Sequence, residues 1–343
     1  MADALLGTSL AAAVVLTCVL APVPVRAEGA CPPAPTPLVN LTYDSRYLDG
    51  DATRSALDPE QEGRMEAALE PLEGFLRSLA GQVGAMLKAA PGDRAALADC
   101  VVAQIGVWAR ADALRALGTE TVALTIGSRL AALALVTRAA LPYAQDQQTA
   151  ADVTDWLARR VREQMVFWEQ APPGAARGNL RAWAALAGAA TAELADDPAM
   201  RGWATWSTAY VLCSAAPDGS LPQEMSRGRR ALHYQLHAVA PLATSARLLA
   251  AQGVSLQHTC GAALDRIVAF TLGDLETGAA TRAITGEAQS LFEPGEQVED
   301  FQLAWLEAYI SLTRDPRAER VAAPRRPLSF SKLGGNQTLM WAR

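Results

Sequence analysis

Lysine is almost missing from this chain: of 343 residues only Lys88 and Lys332 carry an ammonium group, and arginine makes up the rest of the basic residues. With alanine abundant, the bias reads as compositional, and no function is attached to it. Histidine is as scarce, with only His233, His237 and His258. No CxxC pair or histidine-rich spacing accompanies them, so neither a metal nor another cofactor is expected. The formal net charge of -6 excludes a general nucleic-acid binder. A polyanionic ligand would need a local arginine cluster, and Arg227, Arg229 and Arg230 form one. No stretch alternates apolar and polar residues over a strand's length. The one marked apolar run, residues 9–21, is too short and too early to anchor the chain in a membrane.

That run reads instead as a secretory signal over residues 1–27, with Val25-Arg26-Ala27 as a small-residue cleavage site before Glu28. Its first residues are atypical, carrying Asp3 and no basic group. Removing it also removes Cys18 and leaves Cys31, Cys100, Cys213 and Cys260, an even number in an oxidising compartment. Three pairings are open. Cys31–Cys100 with Cys213–Cys260 is favoured, because Cys31 lies in a proline-rich arm that gains most from a tether. The expected product is one exported domain, residues 28–343, in the periplasm or secreted.

Half the chain is hydrophobic, ample for a large core. From about residue 60 the pattern is helical, with segments near 60–88, 94–115, 119–141, 147–170, 177–195, 198–215, 226–252, 256–271 and 299–313. Proline and glycine punctuate them, and Asp146 and Ser255 are candidate N-caps. Long helices with short connections predict antiparallel hairpins in a stacked or toroidal all-α domain. Residues 285–299 read as an acidic loop and the tail from Pro327 as extended. Tyr43 to Ser55 is polar and aperiodic, and fits a lid over a cleft.

Two stripes carry candidate chemistry. In a helix starting near Ser226, Arg230, Tyr234 and His237 fall at i, i+4 and i+7, within about a third of a turn of one another. Guanidinium, phenol and imidazole on one stripe suit an anion site able to move protons. A solvated helix face would carry the same spacing, but residues 238–251 are nearly all apolar, which points to a buried helix. In the helix at 177–195, Asn179 and Trp183 are i, i+4 neighbours. Trp183, Trp203, Trp206 and Trp305 could equally be core residues, and His258 a surface one.

The Asn179-to-Trp183 spacing resembles the Asn-His-x-x-Trp segment of the alginate lyases of polysaccharide lyase family 5. Leu221-Pro222-Gln223-Glu224 and Arg230-Ala231-Leu232 match two later family segments. Ser45-Arg46-Tyr47 through Asp51-Ala52-Thr53-Arg54-Ser55 resembles its lid. Trp305 to Tyr309 and Leu333-Gly334-Gly335 are similar to its C-terminal segments, and Cys31 and Cys100 stand at matching places. The resemblance covers nearly the whole mature chain.

It implies an all-α fold, an incomplete (α/α) toroid of antiparallel helix hairpins, and metal-free β-elimination of poly-mannuronate or a related uronan. Asn179 and Arg230 would neutralise the uronate carboxylate. The family's proton-handling His and Tyr are Leu180 and His237 here. His237 is then the candidate base, with its pKa expected to be depressed by Arg230, and Tyr234 or Tyr47 the acid, with His233 in reserve. Arg46, Arg54 and Arg227 would hold neighbouring uronates, and Trp183 would offer a stacking face. Two rivals stand beside the lyase. One is an inactive descendant that binds the polymer during export or assembly, with an exopolysaccharide export machinery as partner. The other is a glycoside hydrolase, for which no carboxylate pair is evident.

Overall fold

Asp58 starts the first long helix, its carboxylate accepting the N–H groups of Glu60 and Gln61 while Pro59 occupies the first turn. In this computed structural model, which describes residues 31–342, helix α1 runs Pro59–Lys88 and buries a stripe that includes Leu72, Leu76, Leu79 and Val83. The signal expected over residues 1–27 lies outside the described residues. Pro32–Arg343 form one compact unit.

Helices α2 (Arg94–Arg110), α3 (Glu120–Thr125), α4 (Gly127–Ala140) and α5 (Gln147–Glu169) follow, then α6 (Asn179–Ala195), α7 (Pro198–Leu212) and the single turn α8 (Pro222–Met225). The series continues with α9 (Ala231–Ala251), α10 (Ala263–Gly273), α11 (Ala279–Thr285), α12 (Leu306–Thr313), α13 (Pro316–Ala322) and α14 (Gln337–Met340). Helices α4, α6 and α9 are buried on nearly every side. A helix apolar all round must be covered on both flanks. Each is: α4 packs between α1 and α6, and α6 between α4 and α9, which in turn meets α12. The partly exposed α2, α5, α7 and α10 lie outside them, giving the (α/α) toroid. Backbone contact tightens the inner layer. A Cβ on Gly127 would lie 2.8 Å from the Ala184 nitrogen of α6, so only glycine allows that approach.

The tail is not simply extended. Ser329–Phe330 pairs antiparallel with Gly335–Asn336, and α14 then contacts both α1 and α12. Gly335 has φ +114° and its absent Cβ would meet the Ala80 carbonyl at 2.9 Å. The tail therefore links the last inner helix to the first.

Several boundaries move. The helix expected from Ser226 starts at Ala231, after α8 and a 3-10 turn at Gly228–Arg230. Glycine at 228, with φ +53°, breaks what the apolar pattern joined. The helix expected at 256–271 begins only at Ala263, so Ser255 caps nothing there, whereas Asp146 does cap α5 through the Thr149 N–H. A short parallel pair, Asn40–Leu41 with Ala116–Leu117, fixes the N-terminal arm. Cys213 and Cys260 are bonded as expected, closing a loop of 47 residues. Such a closure contributes on the order of 4 kcal/mol in the chain-entropy picture. Cys31 and Cys100 are disulfide-bonded as well. No helix of the described residues is long and apolar enough to cross a membrane.

Candidate active site

Helix α6 begins at a buried carboxylate. Glu224, from α8, is wholly buried and accepts the Asn179 N–H at 2.7 Å and the Asn179 Nδ2 at 2.9 Å. Gly178 makes room, since a Cβ there would lie 2.7 Å from the Glu224 Oε1. An acid at a helix N-terminus is favoured by the exposed N–H groups. Burial nevertheless dominates, pushing the Glu224 carboxyl up to about 7 against the opposing bonds from Asn179 and the charge of Arg227. With Nδ2 committed to Glu224, the Asn179 Oδ1 is buried without a partner. Leu180 follows and packs on Leu124, Trp168 and Ala184. One turn on, Trp183 is buried and its ring lies 5.2 Å from that of His237.

Arg230 is the residue before α9 rather than part of it, with φ −100° and ψ 9°, and its Nε is buried without a partner. Tyr234 and His237 project from the first two turns of α9, their rings 6.5 Å apart. Burial holds the His237 imidazole well below its usual range, helped by the charge of Lys332 and then by His233, Arg129 and Arg46. The depressing neighbour is thus Lys332, not the Arg230 expected from helical spacing. His233 is lowered to about 4 by burial and then by Arg230.

The lid is a built loop. The Asp51 carboxylate accepts from Thr53, Ser55 and Ala56, and the Thr53 hydroxyl above all holds it well below the usual carboxylate range. Arg46 donates to the Tyr47 hydroxyl at 3.3 Å and pairs with Glu62 at 3.5 Å. The Tyr47 hydroxyl hydrogen-bonds the Tyr234 hydroxyl, joining lid to α9. Arg227 crosses the same gap. Its Nε and Nη2 donate to the Thr53 and Arg54 carbonyls at 2.7 and 2.5 Å, and its guanidinium lies 3.9 Å from the Tyr234 ring centre.

Opposite stands a cationic wall. Glu73 on α1 takes Arg129 of α4 at 2.7 Å and Lys332 of the tail at 3.7 Å. Two cations share one carboxylate. Burial would raise the Glu73 carboxyl, but Arg129 and Lys332 outweigh it and hold it low. Burial, with Arg129 close by, lowers the Lys332 ammonium to about 8.

These groups enclose a cleft of about 370 Å³. Asn179, Arg230, His237 and Tyr234, singled out for chemistry, all line it, as do Arg46, Tyr47, Arg54, Trp183 and Arg227, singled out for binding. Sequence reasoning missed Lys332, Arg129, Phe301 and Phe330, which line it too. Lys332 carried a faint signal, as one of two lysines and the residue before Leu333-Gly334-Gly335. Three buried polar atoms on the lining residues have no partner: Asn179 Oδ1, Trp183 Nε1 and Arg230 Nε. Each such atom costs about 1–3 kcal/mol when left unsatisfied, so three of them in one small region is an unusual concentration of buried polar cost. Around it stand fixed cations, a phenol pair and neutral imidazoles, a set able to stabilise an anion and relay protons.

A family model described as Alginate lyase matches residues 118–280. The alginate lyase of Pseudomonas aeruginosa (strain LESB58) is 26% identical over 324 residues, covering 92% of this chain and 86% of that protein. A polysaccharide lyase of Stenotrophomonas maltophilia (strain K279a) is 29% identical over 321 residues, covering 92% and 91%. Among solved structures, a histidine-to-alanine variant of alginate lyase A1-III complexed with a tetrasaccharide superposes with a TM-score of 0.78. It is 21% identical and covers 91% of this chain and 86% of that one. Alginate lyase A1-III from Sphingomonas species A1 gives 0.69 at 20% identity, with 92% and 87% covered.

Proposed function

We propose that this chain, a divergent relative of the alginate lyases, is a polysaccharide lyase that cleaves an acidic polyuronate by β-elimination. The observation that carries the reading is a cleft whose lining gathers Arg46, Arg54, Arg129, Arg230 and Lys332 beside Tyr47, Tyr234 and His237. A uronate carboxylate next to C5 fits the Arg230 guanidinium, and Lys332 and Arg129 add positive field in the same cleft. Asn179, as oriented, holds its Nδ2 on Glu224 and its Oδ1 out of reach of solvent. When Glu224 is protonated the amide can turn over and present Nδ2 to the carboxylate instead.

The chemistry follows from the proton ledger. His237, neutral because burial disfavours its charge, accepts the C5 proton. The electrons left on C5 spread into the neutralised carboxylate, then form the C4=C5 bond as the C4–O bond breaks. The departing oxygen takes a proton from the Tyr47–Tyr234 pair, and Arg46 and Arg227 lie beside the charge this leaves. Preorganised donors aimed at developing charge are typically worth about 3–4 kcal/mol each. Arg227 binds the lid rather than a uronate, since two of its nitrogens are bonded to lid carbonyls. Arg46 and Arg54 remain for neighbouring uronates, whereas Trp183, expected to offer a stacking face, is 1% exposed and packs on His237 and Phe330 instead.

Leu180 favours the second reading, a binding protein without turnover, because an apolar side chain lines the cleft beside Asn179. Incubation with a panel of uronans separates the two. Rising ultraviolet absorbance from C4=C5 unsaturated ends supports the lyase, and binding without that absorbance supports the binding protein. Reducing ends without absorbance would overturn both in favour of hydrolysis. Export is part of the proposal, supported by the disulfides and the signal-like first 27 residues. A free-thiol count on the exported, denatured, unreduced protein should be near zero, and four titratable thiols would sink it.

A further inference from the structure

Outside the cleft, α7 carries an aromatic stripe at i, i+3 and i+7: Trp203, Trp206 and Tyr210. The stripe looks like core in sequence, yet Trp206 is 50% exposed. It stacks on Tyr210 with ring centres 5.3 Å apart and planes 18° from parallel. The Arg181 guanidinium is buried beneath, 4.4 Å from the Trp206 ring centre. Arg181 is anchored to Ser207 and Glu169, and Trp203 also donates to Glu169 at 3.1 Å, so the one acid of this group is already paired. Covering Arg181 does not require half an indole to face solvent. At the rim, Arg177 is exposed and its Nε donates to the Tyr210 hydroxyl at 3.3 Å.

The platform is continuous with the cleft. Arg177 is two residues from Asn179, about 7 Å of chain at most. A surface groove lined by Arg177, Tyr210 and Gln223 adjoins a second, lined by Gln223, Asn179, Arg54 and Arg227, and the last three also line the cleft.

We propose that the Trp206–Tyr210 face of α7, with Arg177 at its edge, is a secondary binding platform for a distal stretch of the same acidic polysaccharide. The inference rests on the reading of the cleft as a polyuronate site. The flat apolar face of a pyranose ring stacks on the indole, and a uronate carboxylate meets the Arg177 guanidinium. A chain long enough to reach both sites is held by both, and a short one only by the cleft. The gain comes from linkage, since the second contact forms within an already bound chain.

The test is calorimetric titration of the full chain carrying His237→Ala, to slow turnover, with a long poly-mannuronate and a short oligomer of it. Adding Trp206→Ala should lower the ratio of long-chain to short-chain affinity about tenfold, as expected when one linked contact is lost. Arg177→Glu, which reverses the rim charge without touching the indole, should lower the same ratio. An unchanged ratio in both variants overturns the platform while leaving the cleft intact. Equal loss of both affinities overturns it as well, because Trp206 would then act through the fold. If the parent binds no uronan of either length, the reading of the cleft fails and the platform falls with it.

Discussion

The two halves of the cleft are built on opposite principles. Asn179 and Trp183 on α6, with Tyr234 and His237 on α9, stand on inner helices whose positions are set by core packing on both sides. Arg46, Tyr47 and Arg54 stand on a loop that is held by the Asp51 carboxylate together with backbone bonds such as that from the Leu48 N–H to the Ala56 carbonyl, and that reaches the helices through Tyr47 and Arg227. The helical half is held in place by burial. The loop half is held by polar contacts, several from side chains that can be removed singly. Damage to the first should therefore appear in kcat, and damage to the second, the proton-donating Tyr47 apart, chiefly in KM.

The comparison is tested hardest at Arg230. Arg230→Ala should cut turnover about a thousandfold, and Arg230→Lys should recover little, since a point charge lacks the guanidinium's fork. A near-native rate in uronan cleavage assays would move the chemistry out of the helical half. Next comes Glu224, whose carboxyl is raised from 4.5 to about 7 in the folded protein. The folded state holds its proton more tightly than the unfolded one. Its stabilising share is thus full below pH 4.5, falls as pH rises to about 7, and then stays lost. The loss is on the order of 3 kcal/mol, and Glu224→Gln should remove that slope in urea melts taken between pH 4.5 and 8. His237→Ala should cost about a hundredfold in rate. In the parent the acid limb of the rate profile should lie below pH 6.5, because the imidazole stays neutral to lower pH than usual, and His237→Tyr should move the limb upward. The smallest effect belongs to the loop. Asp51→Ala should raise KM about tenfold and leave kcat within about twofold, a loss of lid order rather than of chemistry. A fall in kcat matching that of Arg230→Ala would erase the distinction between the halves.

What could be read in the sequence follows the same division. Helical spacing brought Tyr234 to His237, and Asn179 to Trp183, because those contacts are local. It misplaced Arg230 on the helix, since the glycine break at 228 leaves no trace in the apolar period. The cationic wall was invisible for a different reason. Glu73, Arg129 and Lys332 come from α1, α4 and the tail, and only the closed ring makes them neighbours. Trp206 fits a core residue by composition and spacing, yet solvent reaches half of it, and the buried side chain beneath it is the Arg181 guanidinium. Trp305, read the same way, is wholly buried, and His258 lies on the surface as expected. A stacked or toroidal all-α domain was legible from long helices with short connections, and the family resemblance implied the toroid.

The way the tail joins the last inner helix to the first also has a consequence in time. Arg46 and Tyr47 leave the ribosome before α1, whereas Lys332 and Phe330, which line the same cleft, follow only after α13. The pocket thus has no complete wall until the tail has followed α13, and a nascent chain folded through α9 would present its imidazoles and phenols beside Arg129 but without Lys332. A cleft assembled in this order is complete only once the tail lies against α1.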